Sequence, residues 1–154
     1  MKRINEYKKM FQVEGEIELK PLKSTYRNLV KEWHPDKFHK GDPMAEEAEL
    51  KSQQIIDGYH FLVSIAPETK AAQLEDYTKT INESGIADFQ HKSQTLEVTF
   101  MDGSTYEYFG VNKKLYLKFL NSDKQLRFAK RNIFSSVLYR KSKKEMKAES
   151  TTQL

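Results

Sequence analysis

The stretch Leu22 to Lys37, LKSTYRNLVKEWHPDK, decides how the first half of this chain is read. Its apolar residues Leu22, Tyr26, Leu29, Val30 and Trp33 fall at i, i+4, i+7, i+8 and i+11, the spacing of one apolar stripe on an α-helix. Lys23, Arg27 and Lys31 repeat at i, i+4 and i+8 and form a basic stripe on another face. Pro21 fits the first turn of this helix, and Pro35 disfavours helical geometry at His34, so the helix ends at about Trp33. The tripeptide His34-Pro35-Asp36, followed by Lys37, is thereby held in a stiff turn directly after a basic helix.

Working outward, Asp42 reads as an N-cap, Pro43 as a first helical position, and Glu46 and Glu47 as acids in the positive first turn of a second long helix. Its inward residues are Ile55, Tyr59 and Leu62. Tyr7, Met10 and Phe11 fit a short helix before the pair, and Pro67 opens another that runs to about Asp76. A connection of about ten residues makes the two long helices pack antiparallel, with Tyr26, Leu29, Val30 and Trp33 against Ile55, Tyr59 and Leu62.

Residues 5–76 thus resemble a J domain, the DnaJ-type co-chaperone module. The resemblance rests on Tyr7 and Val13, on Leu22 to Trp33, on HPDK at 34–37, on IIDGYHFL at 55–62 and on the Tyr7 to His34 spacing. It implies an all-α unit over residues 1–76, an antiparallel helical hairpin with an HPD loop, that binds a DnaK-type chaperone ATPase and stimulates its ATP hydrolysis. Carried over residue by residue, His34, Pro35, Asp36 and Lys37 are the stimulatory loop, and Lys23, Arg27 and Lys31 the docking face for acidic surface on the ATPase. A carboxylate at Asp36 engages a partner arginine through a charge-assisted hydrogen bond, and a basic stripe steers docking in a salt-sensitive way.

Without the resemblance, His34 reads as a helix-end histidine and the stripe as a solvated face. His34 and His39 alone underfill a tetrahedral metal site, and Asp36 has no nucleophile beside it. The sequence departs from the family at Gly58, usually Ala, at a cost of ~1 kcal/mol in mid-helix. It departs again at Phe38 and His39, more aromatic than the usual polar loop. It shows neither the Gly/Phe-rich linker nor the cysteine-rich zinc module of full-length DnaJ proteins.

In the second half, Thr95 to Met101 (TLEVTFM) alternates with Leu96, Val98 and Phe100 on one side, a half-buried strand. Asp102-Gly103 is a hairpin turn, and Ser104 to Phe109 resumes the alternation with Tyr106 and Tyr108 on one face. Gly85 to Phe89 is a candidate third strand. Asn112 caps a helix over Lys113 to Asn121, and LRFAKRNIFSSVLYRK beyond it is amphipathic as helix or strand. This half is a small α+β antiparallel-sheet unit over 84–141, joined by a linker at 77–83 and followed by a basic tail at 142–154 whose composition predicts disorder.

Residues 84–141 resemble the KTSC domain, a module of about 60 residues found alone in bacteria and at the end of some lysyl-tRNA synthetases. LEVTFMDGSTYEYFGV at 96–111 and Leu115 to Leu120, followed by Arg127, Phe128, Asn132 and Ile133, carry the resemblance. Departures are Val111-Asn112, for the family's Val-Pro, and Ser122-Asp123-Lys124, for its Ser-Gly turn. The synthetase context suggests RNA or ribosome binding. Cations for phosphates would come from Lys113, Lys114, Lys118, Arg127, Lys130, Arg131 and Arg140, and a stacking platform from Tyr106 and Tyr108. A tyrosine pair at strand period also reads as one face of a small core.

Charge separates the halves. Residues 1–76 carry 12 Lys/Arg against 14 Asp/Glu, net −2, and residues 77–154 carry 14 against 8, net +6. From Lys113 to Lys147 there are 12 basic residues and two acids, which places the basic character where a polyanion would be met. None of the 154 residues is cysteine, which excludes disulfides, thiolate nucleophiles and Cys-based zinc or iron–sulfur sites. No phosphate-binding glycine motif and no nucleophile–base set is legible, so neither an enzyme, a cofactor, a metal nor a small-molecule substrate is expected. No apolar run approaches a membrane span, and the expected location is cytoplasmic. The expected function is a co-chaperone whose C-terminal domain targets it to an unidentified client or site. The competing expectation is an RNA- or ribosome-associated binding protein with a degenerate J domain.

Overall fold

The computed structural model describes residues 2–142, which divide into a first unit up to Ala71 and a second from Ala72. The first unit is helical: α1 (Lys2–Met10), α2 (Leu19–Trp33), a 3-10 turn (Pro35–Lys37) and α3 (Pro43–Ile65). Helix α2 stops at Trp33 as Pro35 requires, and α3 starts where Asp42 accepts the Met44 N–H at 2.8 Å with Pro43 at the first helical position. Helices α2 and α3 pack together, and Tyr26 stacks on Tyr59 with ring centroids 4.0 Å apart, as the two apolar stripes predict. Ile55 and Leu62 are fully buried, whereas Tyr26, Leu29, Val30 and Trp33 are only half-buried.

Helix α1 lies on α3 through Tyr7, whose ring centroid is 5.4 Å from that of Phe61, and Arg3 sits 4.4 Å over the Phe61 ring. Gly58 explains how α1 comes this close. A Cβ there would lie 2.8 Å from Tyr7 Cδ1 and 3.1 Å from Phe11 Cε2. The helix-propensity cost of glycine is therefore the condition of a ring-to-backbone contact. Gly58→Ala is expected to gain ~1 kcal/mol in propensity and lose ~2 kcal/mol to overpacking. A denaturation curve should show a net loss of about 1 kcal/mol, and a stabilised variant would contradict the close approach.

Helix α4 runs from Pro67 to Glu83, well past the expected end at Asp76. Residues 77–83, expected as a linker, are its last turns, because their side chains have partners in the second unit. Tyr77 belongs to that unit's core, and Thr80 donates to Asp102 at 2.7 Å. The strands are β1 (Ile86–Lys92), β2 (Thr95–Phe100), β3 (Thr105–Phe109) and β4 (Tyr139–Lys141), an antiparallel meander in the order β1-β2-β3-β4. Between β3 and β4 come α5 (Lys113–Leu120), α6 (Gln125–Ala129) and a π-helical turn (Lys130–Phe134). The ambiguous segment after Ser122 is thus helix, π turn and strand in succession.

Leu96, Val98, Phe100, Tyr106 and Tyr108 form the inner sheet face, closed by Phe119, Ala129, Ile133 and Phe134. Asn112 caps α5 by accepting the Leu115 N–H at 2.8 Å. Ser142, the first residue of the expected tail, is buried and donates its N–H to Thr105 O at 2.8 Å. The rest of that tail lies outside the described residues. No helix among the described residues is long and apolar enough to cross a membrane.

Candidate functional site

In the first unit the proline after His34 forces the chain out of the helix and into a turn stitched by three short hydrogen bonds. His34 O accepts from Lys37 N–H at 3.0 Å, Pro35 O from Phe38 N–H at 3.1 Å, and His34 Nδ1 from Asp36 N–H at 3.2 Å. An accepting Nδ1 holds a lone pair, so the ring proton sits on Nε2. The Asp36 carboxylate is 3.5 Å from the same Nδ1, but its side chain is 92% exposed, and against a neutral ring it contributes no ion pair. The turn therefore presents a fixed imidazole and a free carboxylate to solvent. Lys23, Arg27 and Lys31 are all exposed along α2, leading to that turn, and Lys37 is exposed within it. The structure brings these seven residues onto one helix and its C-terminal turn.

In the second unit the sequence-predicted tyrosines go inward. Tyr106 and Tyr108 are 2% and 0% exposed, because α5, α6 and the π turn cover the sheet face they share. They are core residues and cannot receive a base, which corrects the stacking platform. Tyr77, which the sequence left in a linker, completes their cluster. It donates to Phe134 O at 2.8 Å, so its oxygen accepts from Tyr108 at 3.0 Å, and its ring stacks on Tyr139 at 4.0 Å.

Burial raises the Tyr108 and Tyr77 hydroxyls above their ordinary value of 10.0; for Tyr108 the neighbouring Tyr77 adds to the rise, and for Tyr77 the hydrogen bond from Tyr108 opposes it. Both protons are held more tightly in the folded state, so their stabilisation is present below pH 10 and lost as pH rises above it. Two such groups give a fall of about 2.7 kcal/mol per pH unit above 10. Burial also raises the less buried Tyr139 hydroxyl, so Tyr108→Phe leaves Tyr77 and Tyr139 titrating and denaturant titrations should show a shallower slope than in the wild type; equal slopes would refute the linkage.

A meander with this Tyr-x-Tyr strand, its Asp102-Gly103 turn and its capped helix is matched by the family model of the KTSC domain over residues 82–139. Residues 82–139 are a KTSC domain. The matched span opens two residues before and closes two residues before the expected 84–141. No curated protein and no solved structure matches the chain.

The cations expected to meet a ligand in the second unit fall into three groups. Arg140 is buried at 5% exposure and donates to Glu107 Oε1 at 2.8 Å across the β3–β4 ladder, so it holds the sheet rather than meeting a ligand, a second correction. Lys113, Lys114 and Lys118 are exposed on α5. Arg127, Lys130 and Arg131 line one open groove of about 640 Å³ together with Lys124, Gln125 and Leu126. Sequence reasoning passed over Lys124 as a candidate, which precedes α6 as its N-cap.

Proposed function

We propose that residues 5–76 act as a J domain, recruiting a DnaK-type chaperone ATPase and accelerating its ATP hydrolysis, while the KTSC domain binds the target to which that chaperone is directed. One observation supports this most: a rigid, solvent-facing His-Pro-Asp turn at the end of a helix that carries an uninterrupted row of exposed cations. Such a turn offers a carboxylate for a partner arginine, and the row offers long-range attraction to an acidic face. The chain works as an activator of another protein's catalysis and is not itself an enzyme.

The test is a single-turnover ATPase assay of a DnaK-type chaperone with and without this protein. About tenfold acceleration is expected, equivalent to ~1.4 kcal/mol off the barrier. No acceleration would leave the reading of an RNA- or ribosome-associated protein with a degenerate J domain, for which the exposed Arg127 and Arg131 are the support. Lys23→Ala/Arg27→Ala/Lys31→Ala should raise the concentration needed for half-maximal stimulation by about tenfold at low salt, with a smaller effect at high salt, because steering is screened. A salt-independent loss would mean that the row acts by some means other than charge.

A further inference from the structure

The geometry points to the outer edge of β1 as a dimer interface, at which a second copy of this chain adds its own β1 antiparallel, about a two-fold axis at Gln90. The pairing is independent of the proposed chaperone recruitment and of the ligand the KTSC domain takes. Strand β1 ends the sheet and, among the described residues, pairs only with β2. It contains no proline, Asp88, Gln90 and Lys92 are exposed, and a register shift after Ile86 leaves 88–92 as its regular stretch. An open edge of this kind is a template for another strand. Which backbone groups it offers follows from the turn. Ser93 and Gln94, at φ 49 and 63, form a two-residue type I′ loop, so Lys92 and Thr95 exchange their backbone hydrogen bonds. Antiparallel pairs alternate, so Gln90 and Asp88 also turn their N–H and C=O toward β2, and Phe89 and His91 turn theirs outward.

A two-fold at Gln90 sets Phe89 opposite the partner's His91, and His91 opposite the partner's Phe89, each a hydrogen-bonded pair of outward-facing peptides. The same register sets Asp88 opposite the partner's Lys92 and Lys92 opposite the partner's Asp88, at positions where Cα atoms approach to about 4.5 Å. Neither charge has an ion-pair partner among the described residues. Charges that ordinarily blunt an edge are therefore self-complementary here. In-register parallel pairing sets like against like, and an antiparallel slip of two residues either way faces both charges with uncharged side chains. The edge is also held ready for a partner: Phe89 meets Phe119 edge-on at 4.9 Å, and His91 stacks on Tyr116 at 4.2 Å. Through Tyr116 helix α5 lies against the edge strand, and Leu120, one turn on from Tyr116, is 40% exposed with Leu117 beside it at 42%. A two-fold perpendicular to the sheet keeps both inner faces on one side, so the two copies of α5 flank the axis and these leucines gain apolar cover. The joined sheet ends at both sides on the three-residue β4, so assembly closes at two copies.

Sedimentation velocity of the full chain from ~1 to ~200 μM should show a monomer–dimer equilibrium with Kd on the order of 10 μM, as a small interface gives. Asp88→Lys alone and Lys92→Asp alone each set like charges opposite one another and should raise Kd by about tenfold. Mixed in equal amounts, the two variants restore both opposite-charge pairs and should form a heterodimer at wild-type affinity, and Asp88→Lys/Lys92→Asp should recover the homodimer. Rescue in the mixture separates charge pairing from misfolding. The chain has no cysteine of its own, so a single introduced thiol reports position. Gln90→Cys, on the axis, places Cα atoms about 4.5 Å apart, within the roughly 4.4–6.8 Å span of a disulfide, and should cross-link under mild oxidation. Asp88→Cys sets its two thiols four residues apart along the strands, at about 3.4 Å each, and should not. A wild type that stays monomeric at ~200 μM, assemblies larger than two, single variants that do not pair with each other, or equal cross-linking at positions 88 and 90 would each overturn the assignment.

Discussion

His34→Gln is expected to reduce stimulation of a DnaK-type ATPase to the basal rate, a loss of about tenfold or ~1.4 kcal/mol, while the protein unfolds at an unchanged midpoint. The side chain of His34 is 49% exposed, so its replacement removes little packing, and a surface change of this kind costs within ~0.5 kcal/mol. What it removes is the aromatic acceptor that takes the Asp36 N–H at 3.2 Å and holds the backbone of the turn at Asp36. Glutamine is polar but flexible, so the turn loses its fixed backbone acceptor and the ring Nε2–H is gone. Retained stimulation by His34→Gln sinks the proposed co-chaperone activity, as does a matching loss from a change on the opposite face of α2 that spares the turn.

Arg140→Met is expected to destabilise the second unit by about 3–5 kcal/mol. Arg140 and Glu107 are directly paired across β3 and β4, at side-chain exposures of 6% and 14%. Removing the guanidinium leaves the Glu107 carboxylate in a site that excludes most water, and directly opposite Glu107 on β2 stands Glu97, a like charge in register. For a unit of this size the loss corresponds to a fall of about 15–30 °C in Tm. The double variant Glu107→Leu/Arg140→Met should recover most of it, since replacing both partners by apolar groups removes the stranded charge. Differential scanning calorimetry of the two variants decides the matter: equal destabilisation in both would mean that the pair's shape, and not its charge, is what the sheet needs.

The junction between α2 and α3 was legible because both of its boundaries are written in local chemistry, whereas the start of α2 at Leu19 follows an uncapped Glu18 and carries no such signal. Pro35 forbids helix at His34, and Asp42 with Pro43 starts one, whatever the rest of the chain does. The β2–β3 hairpin was legible for the same reason, in Asp102 and Gly103, the latter at φ +92. The β1–β2 turn was not. Ser93 and Gln94 both adopt positive φ, 49 and 63, without the glycine or asparagine that normally marks such a turn, so only the pairing of Lys92 with Thr95 reveals it. Strand β4 was equally hidden, since three residues carry no periodicity of their own and become a strand by completing the ladder of β3.

The candidate sites divide along the same line. Lys23, Arg27, Lys31 and the His34 turn follow from helix spacing plus one proline, interactions spanning a few residues, and the sequence by itself determined them. It also determined that Tyr106 and Tyr108 share a face, because side chains alternate along any strand. Only the tertiary structure decided which way that face points. Helices α5 and α6 and Tyr77 from α4 cover it, turning a would-be binding platform into a core, and Glu107 draws Arg140 into the sheet. Periodicity specifies which residues act together, but burial is a property of what packs on them, and those partners lie up to 57 residues away in the chain, as Tyr77 does from Phe134.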